Sequence, residues 1–102
     1  MDQKALILDL AMNLTRIGNW IADDYRGKLG CIEIFLAQVS VQFTQLKPDT
    51  LPDPLKRPLI NVKADLKRFL LSRESVSRDP LLWAENFLTW GNILTHRARL
   101  LT

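Results

Sequence analysis

Apolar residues near the start of the chain fall at Ile7, Leu10, Leu14, Ile17 and Ile21, at alternating spacings of three and four. An α-helix turns once in about 3.6 residues, so this rhythm lines them up on a single stripe. A helix is expected over residues 3–24, with Lys4, Asp9, Asn13 and Arg16 outward and Trp20 beside the stripe. Gly27 and Gly30 then weaken the helix or turn the chain. The same rhythm resumes at Leu29, Ile32, Leu36, Val39, Phe43 and Leu46 and predicts a second helix. Val39 to Phe43 also alternates with the period of a strand, but the helical rhythm is longer and decides. Ile34 and Val41 stand off this stripe, seven residues apart, and mark a second contact surface if the helix is central or the protein assembles.

Four prolines, Pro48, Pro52, Pro54 and Pro58, interrupt the next stretch. Asp53-Pro54 has the form of a helix start. In a regular helix, however, the Pro58 ring would clash with the carbonyl four residues earlier, so the third helix is expected to begin near residue 57. Leu51 and Leu55 suggest that the connection packs across the bundle. Leu59, Val62, Leu66, Phe69 and Leu70 form the apolar face of the third helix, and the polar run 72–78 is expected to be a loop. Asp79-Pro80 starts the last helix, because aspartate accepts orphan amide hydrogen bonds and proline lacks an amide where none is needed. Trp83, Phe87, Trp90, Leu94 and Leu101 follow helical spacing, while Ala84, Gly91 and Ala98 leave room for another helix to approach. His96, Arg97 and Arg99 fall where positive charge suits the carbonyl end. The expected fold is all-α: one domain over residues 1–102, a small, mainly antiparallel four-helix bundle, or three helices if the first two are continuous.

A hydrophobic content of 47% with 25% charged residues fits a globular chain rather than a disordered one. No apolar run approaches the roughly 18 to 20 residues of a membrane span, so no membrane association is expected. The start Met1-Asp2-Gln3-Lys4 leads straight into the amphipathic pattern without the regions of a signal peptide, which suggests a cytoplasmic location. Cys31 is the only cysteine, excluding an intrachain disulfide, and is expected to be a buried thiol. His96 is the only histidine. Asp23 and Asp24 are adjacent and so point about 100° apart on a helix, and no phosphate loop or metal-ligand spacing occurs. A non-enzyme without metal or cofactor is the expectation.

Charge is the clearest asymmetry. Residues 56–78 carry Lys56, Arg57, Lys63, Lys67, Arg68, Arg73 and Arg78 against Asp65 and Glu74, a formal +5, whereas residues 1–55 sum to −2. On a helical projection Lys56, Lys63 and Lys67 share a stripe with Arg57 and Arg68 on its flank, expected opposite the apolar face. Ser72, Ser75 and Ser77 could add backbone contacts. Such a surface binds RNA or DNA phosphates without reading base sequence. The leading expectation is a non-catalytic accessory subunit of a larger ribonucleoprotein or DNA-processing complex. Small helical subunits of CRISPR effector complexes do this kind of job, although no motif is shared. The alternative is a protein-interaction or homo-oligomeric adaptor that covers Trp20, Ile34, Val41 and Trp83 with a partner.

Overall fold

The computed structural model describes residues 2–101, apart from the side chain of Ser75. Helix α1 spans Gln3–Asp24, α2 Leu29–Gln45, α3 Asp53–Leu71, α4 Arg73–Arg78 and α5 Pro80–Arg97, with single 3₁₀ turns at Pro48–Thr50 and Ala98–Leu100. The Asp2 carboxylate caps α1 by accepting from the Ala5 amide at 2.7 Å. At its other end Asp24 accepts from the Gly27 amide at 3.0 Å, and a Cβ on Gly27 would collide with that carboxylate. This local closure ends α1 and makes four long helices rather than three.

The topology is up-down-up-down. Gln3 reaches Thr50 at one end of the molecule, and Tyr25 meets Arg73 at the other. Each helical stripe turns inward: Ile7, Leu10, Leu14, Ile17 and Ile21 of α1, Ile32, Leu36, Val39 and Phe43 of α2, Leu59, Val62, Leu66 and Phe69 of α3, and Phe87, Trp90 and Leu94 of α5 are all buried. Phe69 stands edge-on to both Phe87 and Trp83, with ring centroids 5.0 and 5.1 Å apart, an arrangement that pairs ring edge with ring face.

Helices α1 and α5 form the closest antiparallel pair because their facing positions are small. Ala11 and Gly18 on α1 meet Ala84 and Gly91 on α5. A Cβ on Gly18 would lie 3.1 Å from the Ala84 carbonyl oxygen. One on Gly91 would lie 3.0 Å from that of Ala11 and inside the contact radius of the Thr15 hydroxyl. The spacing of seven along each helix returns a small residue to the seam every two turns.

Several expectations are corrected. Helix α3 begins at Asp53, and Pro58 lies within it. The Pro52 carbonyl accepts from the Leu55 and Lys56 amides at 3.0 and 2.9 Å, so a complete first turn exists before Pro58 forfeits its one bond. Full burial of Leu55, about 1.5–3 kcal/mol, offsets a helix-interior proline cost of about 3 kcal/mol. Residues 73–78 form a short helix instead of a loop because Val76 is drawn into the core. Asn13 is buried, not outward, and donates to the Gln42 carboxamide at 3.1 Å. Leu29 and Leu70 are exposed at the edges of their stripes. Cys31 is exposed, since it sits about 100° around α2 from Ile32.

Candidate nucleic-acid interface

The cations of α3 form two rows that the buried stripe separates from the core. Lys56, Lys63 and Lys67 run along the flank toward α2, and Arg57 and Arg68 along the flank toward α5, roughly 100° away by helical projection. The outward pole between them carries Ile60, Ala64 and Leu71, and Leu71 is 78% exposed. The sequence projection had set the lysine stripe opposite the apolar face. It lies instead at the side of that face, because the burial of Leu55, Leu59, Val62, Leu66 and Phe69 centres the inward direction between α2 and α5.

The seven basic residues differ in their engagements. Lys63 and Lys67 are exposed, and among the described residues neither joins an ion pair. They flank a groove of about 200 Å³ between α2 and α3, floored by Phe43, Leu66 and Leu70 and edged by Ser40. Arg57 lines a cleft of about 490 Å³ with Asp53, Asn61 and Arg97, so the end of α5 brings a further cation to the start of α3. Lys56 lies 3.5 Å from the exposed carboxylate of Asp49. Arg68 pairs with Asp65 one turn away and borders a cleft of about 510 Å³ lined also by Ser72, Trp83, Asn86 and Trp90. Arg78 is exposed at the end of α4.

Arg73 is structural. Its guanidinium pairs with Glu33 of α2, donates to the Tyr25 hydroxyl at 3.2 Å and lies 5.2 Å from the Phe69 ring centre. Partial burial disfavours its charged form, but the hydrogen bonds it donates to Glu33 and Tyr25 outweigh this and raise its pKa above the ordinary arginine value. Three helices and the turn after α1 are tied together at this point.

Of the four residues expected to meet a protein partner, two are engaged within the chain. Trp20 packs edge-on against Phe35 at 4.9 Å, and Trp83 against Phe69. Ile34 and Val41 remain 59% and 55% exposed on the outer face of α2. Ser72 adjoins α4 and Ser77 lies within it, while the Ser75 side chain lies outside the described residues. Sequence reasoning missed that Arg97 lines the same cleft as Arg57, which only the antiparallel course of α5 reveals. It also missed the apolar pole of α3, which was readable from the spacing of residues 60, 64 and 71.

Among the described residues no group of three or more His, Cys, Asp or Glu side chains could hold a metal ion, and no helix is long and apolar enough to cross a membrane. Comparison with family models, curated proteins and solved structures finds no match.

Proposed function

We propose that the chain is a non-catalytic accessory subunit that holds the backbone of RNA or DNA against α3 within a larger assembly. The observation that carries this reading is the pair Lys63 and Lys67, one turn apart, exposed and without an ion-pair partner among the described residues. Two such cations can contact successive phosphates, and their binding energy comes largely from counterion release. Arg57 and Arg97 extend the positive surface toward one end of the bundle. Without base-reading groups at defined positions, binding should be insensitive to sequence.

Labelled single- and double-stranded RNA and DNA, titrated across a salt series, test the proposal. Each lost phosphate contact should flatten the slope of log affinity against log salt by about 0.7–0.9. A Lys63→Gln/Lys67→Gln/Arg57→Gln variant should therefore lose about 2.1–2.7 units of slope and bind more weakly at low salt. Absence of wild-type binding at low salt, or an unchanged variant, overturns the reading.

A second reading is favoured by the exposure of Ile34 and Val41: an adaptor whose α2 face is covered by protein. It requires no nucleic acid and survives neutralisation of the α3 cations.

A further inference from the structure

Helix α2 is the least charged long element of a chain in which one residue in four is charged. Glu33 is its only charged residue, and the carboxylate is engaged by Arg73. The outer face carries Gly30, Ile34, Ala37 and Val41, all exposed, at spacings of four, three and four. This is the seam register of a coiled coil, and its occupants alternate small and large.

We infer that this face binds the same face of a second copy of the chain, the two α2 helices running antiparallel about a two-fold axis. The inference names the partner for the adaptor reading and rests on it, while leaving the α3 cations free. In an antiparallel seam the two kinds of position face each other. Gly30 then opposes Val41 of the second copy, Ile34 opposes its Ala37, and the two-fold repeats both pairs, so each of four layers joins a large residue to a small one. A parallel pair would set Ile34 against itself and Gly30 against itself, crowding one layer and emptying another.

Gly30 supplies an independent sign. Among the described glycines none has a positive φ, and a Cβ at position 30 would meet nothing within 4 Å. The packing within its own chain therefore gives no steric reason for a glycine at the second residue of α2. Opposite a valine of another copy, the missing side chain is what allows the helices to approach. The same device closes α1 on α5, where Gly18 and Gly91 face the partner backbone.

The absence of charge matters in an assembly of like molecules. Each copy carries a formal +3, so a self-pairing face must exclude cations, and this one does. In this register the two α2 helices overlap over residues 29–42, about 21 Å, and offer on the order of 1,000 Å² for the two copies together. That lies just below the range of standard stable interfaces and specifies a reversible dimer, whose isologous contact closes without forming filaments.

Sedimentation velocity from micromolar to millimolar concentration tests the inference on the full chain. The wild type should shift from monomer to dimer as concentration rises. Gly30→Leu, placed in open space, and Val41→Glu, exposed in the monomer, should keep wild-type helicity and melting temperature yet weaken dimerisation at least tenfold. In a Cys31→Ser background, Gly30→Cys/Val41→Cys should form an intermolecular disulfide on mild oxidation. A wild type that stays monomeric at millimolar concentration overturns the self-pairing. So does a dimer that both substitutions leave intact. If the chain is monomeric but a different purified protein protects Ile34 and Val41, self-pairing fails while the adaptor reading stands.

Discussion

The two halves of the bundle are built on opposite principles. Between α1 and α5 the close approaches at Gly18 and Gly91 are prepared by small residues, and the backbones nearly touch there. Between α2 and α3 the helices stand apart, leaving a groove lined by Phe43, Leu66 and Leu70, with lysines at its edge and apolar residues facing outward on both helices. A seam fitted to atomic contact tolerates little change, because densely packed interiors transmit any added volume to their neighbours. A surface of exposed cations and uncharged side chains can change with little effect on the fold. The contrast assigns stability to one half and, on the proposed reading, leaves binding to the other.

The largest break in this contrast should come at Gly91. Gly91→Val places two methyl groups against the Ala11 carbonyl and the Thr15 hydroxyl and should cost about 3 kcal/mol in urea unfolding. Gly30→Leu adds more volume to the other half and should change stability by no more than about 0.5 kcal/mol. Similar losses at both glycines would erase the distinction between seam and surface.

An intermediate effect is expected where the halves are joined. Arg73→Ala removes the pairing with Glu33, the bonds to Tyr25 and the stacking on Phe69. The pair is partly open to solvent, so screening reduces its contribution, and a loss of about 1 kcal/mol is expected, read by thermal unfolding. A guanidinium whose pKa is raised in the folded state stabilises fully below its unfolded value and loses that contribution only above its folded one. The ordinary arginine value already lies well above this range and the folded one is higher still, so the Arg73 charge should add no pH dependence to stability between pH 6 and 10.

The smallest stability effect belongs to the candidate interface. Lys63→Gln/Lys67→Gln should unfold within about 0.5 kcal/mol of the wild type, since both side chains are exposed and unpaired among the described residues. A larger loss would show that the lysines serve the fold.

The inward stripes of α1 and α2 were legible because burial on one side writes a helical period into the sequence. Asp79 was legible for a similar reason: its carboxylate accepts from the Leu82 amide at 3.2 Å, a contact within one turn. The start of α3 was not. Pro58 states a local cost, whereas the burial of Leu55 that offsets it exists only once the bundle has closed. Asn13 looked outward by polarity, yet its partner Gln42 stands 29 residues away. The candidate interface divides in the same manner. The shared stripe of Lys63 and Lys67 follows from their spacing. The removal of Arg73 into an internal network and the arrival of Arg97 beside Arg57 depend on which helix ends meet.

Amide hydrogen exchange, recorded at low salt with and without a single-stranded RNA oligonucleotide, tests the division of labour most directly. The account expects the amides of α1 and α5 along the Gly18 and Gly91 seam to exchange most slowly and to remain unchanged on adding RNA. Added protection should fall on α3 between Lys56 and Leu71. Slowest exchange in α2 and α3, or RNA-dependent protection confined to the α1–α5 seam, would contradict it.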